Sequence, residues 1–170
     1  MTANRRRLTL GLALAAFVII ADQIAKWAIL AAFRPPGETA TPFVPAGPSL
    51  HVLPVLDFAL VWNRGVSFGV ANTQGGWNAI VFALLSAVVA VVLIGWLARV
   101  KRLLLALALG FIIGGAIGNL IDRLRIGAVV DFIYVHVGGF DWFPAFNLAD
   151  SSITVGAVLL VIDSLFGARD

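Results

Sequence analysis

Long apolar runs dominate the pattern of this chain. Four stretches carry few or no charges: residues from about 8 to 33, 78 to 98, 103 to 121 and 148 to 166. Each is close to the ~20 residues that an α-helix needs to cross the hydrocarbon core of a bilayer. The second and third are separated only by a short turn containing Arg99, Lys101 and Arg102, which predicts a helical hairpin. The expected architecture is an all-α membrane protein: one integral membrane domain over residues 1–170 with four transmembrane helices. Two longer connections remain, about 34–77 and 122–147.

The first connection has two parts. Residues 34–48 hold five of the seven prolines and read as an extended linker. From Leu53 to Val70 the chain is rich in Val, Leu, Phe and Trp and is punctuated by Asn63-Arg64-Gly65. That pattern predicts strand, turn and strand, hence a small extracytoplasmic β-sheet element between helices 1 and 2. Trp62, Trp77, Trp142 and Phe143 fall near span ends or in these connections, as an interfacial aromatic belt requires. In the third run Gly110, Gly114 and Gly118 recur every four residues, a stripe that admits close helix packing. Packing within the chain accounts for it, so a monomer is expected.

Composition supports lipid as the solvent. The chain is 61% hydrophobic and 12% charged, with a mean hydropathy of +0.99. Soluble domains run at about 45–50% apolar and about 25% charged. The net charge is +3, and the basic residues cluster at Arg5-Arg6-Arg7 and in the turn at 99–102. By the positive-inside rule these put both termini in the cytoplasm and the two long connections outside. The basic residues therefore report orientation, not nucleic-acid binding. The first run resembles a signal peptide in its basic flank. It is longer, contains Asp22, Gln23 and Lys26, and ends without a clear cleavage site, so an uncleaved span is expected. The absence of cysteine excludes a disulfide scaffold, thiol catalysis and thiolate metal sites.

Ionisable groups at membrane depth are costly and point to function. Asp22 lies 14 residues beyond Leu8, about 21 Å along a helix, toward the outer end of the first span. Asp122 closes the third span, Asp131 follows in the second connection, and Asp150 begins the fourth span. Asp163 lies toward the other end and stands apart. Asp22 and Lys26 have the i, i+4 spacing of an intrahelical ion pair, and Arg123 stands beside Asp122. These charges read as scaffold. Asp131 and Asp150 have no basic residue close in sequence. Spacing leaves two readings open for Asp150: a helix N-terminal charge with Asn147 as N-cap, or a catalytic carboxylate. Two carboxylates sharing one proton can act as general base and general acid. His51 and His136 lack a second histidine at ligand spacing and read as ordinary histidines; no metal or other cofactor is expected.

Five segments, in order, resemble one family. They are Asp22-Gln23-Ile24-Ala25-Lys26, Asn63-Arg64-Gly65-Val66-Ser67-Phe68-Gly69, Gly118-Asn119-Leu120-Ile121-Asp122-Arg123, Val129-Val130-Asp131-Phe132 and Phe146-Asn147-Leu148-Ala149-Asp150-Ser151. Together they resemble the lipoprotein signal peptidases (signal peptidase II), bacterial membrane aspartyl proteases. The resemblance implies that Asp131 and Asp150 are catalytic. It implies that Asn63, Gly65, Asn119, Arg123, Asn147 and Ala149 bind substrate or order the site, with Asp22, Lys26 and Asp122 in support. The implied substrate is a diacylglyceryl-modified prolipoprotein, cut just before its lipidated cysteine. The implied location is the bacterial cytoplasmic (inner) membrane, among membrane lipids, with the site toward the periplasmic face. The rival readings are a transporter or channel subunit and an anchoring protein. A transport path needs polar groups through the membrane depth, yet the second span offers only Ser86 between Ala79 and Ala98.

Overall fold

Four long helices and three short strands make up the computed structural model, which describes residues 3–34, 49–65, 77–136 and 144–166. The helices are α1 (Ala3–Phe33), α2 (Trp77–Leu97), α3 (Leu103–Ile126) and α4 (Leu148–Phe166), and the strands are β1 (Ser49–Leu53), β2 (Leu56–Asn63) and β3 (Val129–Val135). All four helices are long and apolar enough to cross a membrane. Their exposed positions are largely apolar, for instance Phe17, Ile24 and Trp27 on α1, Leu84, Val88 and Val92 on α2, and Val158 and Leu165 on α4. In water such faces would be a liability; in lipid they are the matched surface.

The third span runs past the expected boundary at residue 121 and ends at Ile126. Gly127 provides the stop. It adopts φ +71°, a left-handed conformation open to glycine at little cost, and its N–H donates to the Arg123 carbonyl at 3.1 Å.

The strands form one antiparallel sheet in the order β1-β2-β3. The turn joining β1 and β2 lies at Pro54-Val55, between Leu53 and Leu56, and β2 ends at Asn63, where the Gly65 N–H bonds back to the Asn63 side chain. The third strand comes from the connection between α3 and α4, a stretch for which the sequence pattern predicts no strand. Its Val129-Val130-Asp131-Phe132-Ile133-Tyr134-Val135 is β-branched and aromatic enough to pair with β2. The strand expected after Gly65, the linker 35–48, Trp142 and Phe143 lie outside the described residues.

Contacts divide the chain into two compact units. One comprises residues 1–22, 85–120 and 148–170. Here the glycine stripe brings helices together: a Cβ on Gly110 would lie 2.6 Å from the Gly11 carbonyl oxygen, and one on Gly114 would lie 2.7 Å from the Val18 Cβ. Leu97, Ala106, Leu109 and Ile113 form its buried core. Arg102 forms an ion pair with buried Asp163 at 2.8 Å, so the aspartate set apart in the sequence neutralises a residue of the basic turn.

The other unit comprises residues 23–84 and 121–147. Ile29, Leu60, Trp62, Ala128, Val130 and Phe132 form its core, with the Phe58 and Phe132 rings edge to face. Trp62, expected in an interfacial belt, is instead 2% exposed and packed inward, with the Arg34 guanidinium 5.6 Å from its ring centre.

Candidate active site

Within the second unit, Asp131 lies on β3, at one edge of the sheet. It pairs with Val61 across the β2–β3 ladder and is buried. Each of its carboxylate oxygens receives an amide N–H: Asn147 Nδ2 donates to Oδ1 at 2.7 Å, and Asn63 Nδ2 donates to Oδ2 at 3.0 Å. Both asparagines are themselves oriented. Asn63 Oδ1 accepts from the Gly65 N–H at 3.1 Å, a local turn that fixes which face of the amide meets the aspartate. Asn147 Nδ2 also donates to the Val130 carbonyl at 3.2 Å, and the residue is fully buried. A carboxylate gripped at both oxygens by fixed donors holds a single orientation.

Asp122 organises the same unit from the end of α3. It accepts from Lys26 Nζ at 2.8 Å, Gln23 Nε2 at 3.0 Å and the Val130 N–H at 3.1 Å. Lys26 is 2% exposed and Asp122 4%. A buried charge pair is tolerable when further hydrogen bonds complete it, as these do. The Val130 bond places the charge network one residue from Asp131. Arg123, adjacent to Asp122, carries its guanidinium 5.7 Å from the Phe82 ring centre. The sequence offers Lys26 a partner on its own helix turn; it does not reveal the bond to Asp122, nearly a hundred residues away.

Within the first unit, Asp150 lies in the first turn of α4 and is half-buried. Asn119 Nδ2 donates to its Oδ1 at 2.8 Å. Asp22 acts on the backbone instead, its Oδ1 accepting the N–H of Ala149 at 3.0 Å. Free amides at a helix N-terminus need acceptors, and a carboxylate from another helix is a strong one. Gly118 leaves room for this carboxylate, since a Cβ there would lie 2.7 Å from Asp22 Oδ2. Ser152 hydroxyl bonds to the Phe111 and Ala149 carbonyls, at 3.2 and 2.8 Å, tie the same turn to α3.

Two carboxylates are thus each held by asparagine amides, Asp131 in one unit and Asp150 in the other. Comparison with known proteins decides the family. The model of the signal peptidase (SPase) II family matches residues 14–166. The chain belongs to that family. Among relatives, the lipoprotein signal peptidase of Burkholderia mallei (strain SAVP1) is 43% identical over 162 residues, covering 94% of this chain and 89% of its own length. That of Coxiella burnetii (strain Dugway 5J108-111) is 42% identical over 152 residues, covering 88% and 85%. A bacterial membrane enzyme solved at 1.9 Å resolution has TM-score 0.74 and 29% identity, covering 94% of this chain and 95% of that one. As a signal peptidase II family member with four membrane-length helices, the chain is a multi-pass membrane peptidase.

Proposed function

We propose that this protein is an aspartic endopeptidase that removes the signal peptide from diacylglyceryl-modified prolipoproteins, cutting just before the lipidated cysteine. Asp131 and Asp150 act as the dyad. The observation that carries the reading is that asparagine amides hold both carboxylates, two on Asp131 and Asn119 on Asp150. Chain continuity supports pairing them: Asn147, which grips Asp131, precedes Asp150 by only three positions.

In this reading, one carboxylate is ionised and takes a proton from water as the oxygen attacks the scissile carbonyl carbon. The other carboxyl is protonated and gives its proton as the C–N bond breaks, so the amine leaves neutral. Asn63, Asn119 and Asn147 keep the carboxylates aimed while the charge moves between them. Asp22, Lys26 and Asp122 hold the backbone that presents them, and Gly65, Arg123 and Ala149 order the surroundings. The reaction needs no covalent intermediate.

The substrate is anchored by its acyl chains, so a multi-pass membrane protease meets it within the bilayer. The charge clusters at residues 5–7 and 99–102 support cytoplasmic termini. The dyad then faces the periplasmic side of the bacterial inner membrane, and the working unit is a monomer. The test is cleavage of a diacylglyceryl precursor by the reconstituted protein, followed by mass spectrometry. The expected products are a free signal peptide and a chain beginning with the lipid-modified cysteine. An unlipidated precursor cut equally well, or a cut elsewhere, would refute the substrate assignment.

A further inference from the structure

The sheet gathers a second group of ionisable side chains, apart from Asp131. His51 on β1 lies directly opposite Asp57 on β2. Asp57 in turn faces Tyr134 on β3, and His136 follows two residues later. The His136 N–H donates to the Val55 carbonyl at 3.0 Å, which ties that residue to the β1–β2 turn. The two arms of one hairpin and the far end of β3 therefore each deliver one side chain to one place. Measured along β2, Asp57 is six residues from Asn63, about 20 Å at ~3.3 Å per residue, so this group is separate from the asparagine grip on Asp131.

We propose that His51, Asp57 and His136 form a binding site for one divalent transition-metal ion of the zinc class. One donor atom from each residue lies within 4.8 Å of the others. His51 Nδ1 is 2.5 Å from Asp57 Oδ1, and His136 Nε2 is 3.4 Å from Asp57 Oδ2. Donors bonded to one tetrahedral ion at ~2.0–2.1 Å stand about 3.3 Å apart, so side-chain rotations of an ångström or so assemble the set. The His136 Nε2 atom is shielded from solvent and has no hydrogen-bond partner among the described residues. At 3.4 Å its approach to Asp57 is too long for a good hydrogen bond; a metal ion between them satisfies both.

The donor chemistry selects the class of ion. Two imidazoles and a carboxylate suit zinc and its neighbours, whereas calcium and magnesium require oxygen donors and soft monovalent copper requires sulfur. The His51 side chain is 65% exposed, which leaves an open approach and a coordination position for water. A bound ion would clip β1, β2 and the end of β3 together. This is a structural clamp on the sheet, independent of the peptidase dyad.

The experiment uses the full chain without an affinity tag, purified in detergent and stripped with a chelator. Zn²⁺ is titrated calorimetrically, and Co²⁺ is followed by its visible ligand-field bands. The expected result is one ion per chain, with a higher Tm when Zn²⁺ is present. His51→Ala and His136→Gln should each weaken binding by more than about tenfold and abolish the rise in Tm. Because the His51 side chain is largely exposed, H51A keeps the test decisive if H136Q fails to fold. Absence of saturable binding overturns the proposal, and so does binding that survives both substitutions. Histidine NMR signals that respond to pH but not to Zn²⁺ would replace the metal site with a proton-linked contact, and would also overturn it.

Discussion

The Asp22 carboxylate accepts the backbone N–H of Ala149 at 3.0 Å, so a side chain of α1 caps the first turn of α4 one residue before Asp150. The i, i+4 relation to Lys26 gives no hint of this bond, because helix capping from a distant segment leaves no local spacing. The bond gives the buried Asp22 carboxylate a backbone donor and the first turn of α4 an acceptor.

Replacing Asp22 tests that role. Asp22→Ala leaves the Ala149 amide without this acceptor, a loss of about 1–3 kcal/mol, and should lower both Tm and cleavage rate. Asp22→Asn retains an oxygen acceptor and should do less damage. Thermal unfolding in detergent, alongside initial cleavage rates, checks the order. Equal damage from both variants would show that charge, not capping, is the requirement.

The Lys26–Asp122 pair predicts a strong coupling. Removing one member of a buried ion pair costs about 3–5 kcal/mol, because the other charge loses a close partner in a site away from water. Lys26→Met and Asp122→Leu should each destabilise severely, and the double variant should lose less than their sum. Since Asp122 also accepts from Gln23 and from Val130 N–H, the double variant will not regain full stability. Additive losses in the double-mutant cycle would argue against direct pairing.

Glycine positions give a contrast free of charge effects. A Cβ at Gly110 meets the Gly11 backbone, whereas nothing lies within 4 Å of one at Gly95. Gly110→Ala should destabilise by about 1–3 kcal/mol, the usual range for overpacking, and Gly95→Ala should be neutral or mildly stabilising. Thermal unfolding of the two variants decides between them; equal Tm values would contradict the close approach of α1 and α3.

The asparagines predict a graded loss of rate. Asn147 donates to both Asp131 and Val130 and is fully buried, while Asn63 is partly exposed. A hydrogen bond to a charged group contributes about 1.5–3 kcal/mol, or roughly tenfold to a hundredfold in rate. Asn147→Ala should therefore lower the cleavage rate at least that far, and Asn63→Ala should lower it less. The reverse order under saturating substrate would contradict the grip described for Asp131.

Much of the fold was legible because a membrane span advertises itself by length and hydropathy, and all four spans begin or end within a few residues of the apolar runs. The sheet was half legible. Its first strand lies ahead of the run from Leu53 to Val70 that reads as strand and turn, and Pro54-Val55 is a weaker turn signal than Asn63-Arg64-Gly65. Its third strand was hidden in a connection whose pairing partner lies some 70 residues upstream. The same distance problem concealed His136 as a neighbour of His51 and Asp57, since only strand register brings it to the hairpin. Asp131 and Asp150 stood out because no basic residue nearby in sequence accounted for them. The resemblance implied site-ordering roles for Asn63, Asn119 and Asn147; the hydrogen bonds add which carboxylate each one holds.

The proposed Asp131–Asp150 dyad is tested most directly by cleavage of a diacylglyceryl precursor with Asp131→Asn, Asp150→Asn and the double variant, each verified as folded. Two carboxylates acting as one catalytic unit predict that either single change abolishes cleavage and that the double change adds little further loss. Near-normal cleavage by either single variant, or losses that multiply in the double, would contradict it.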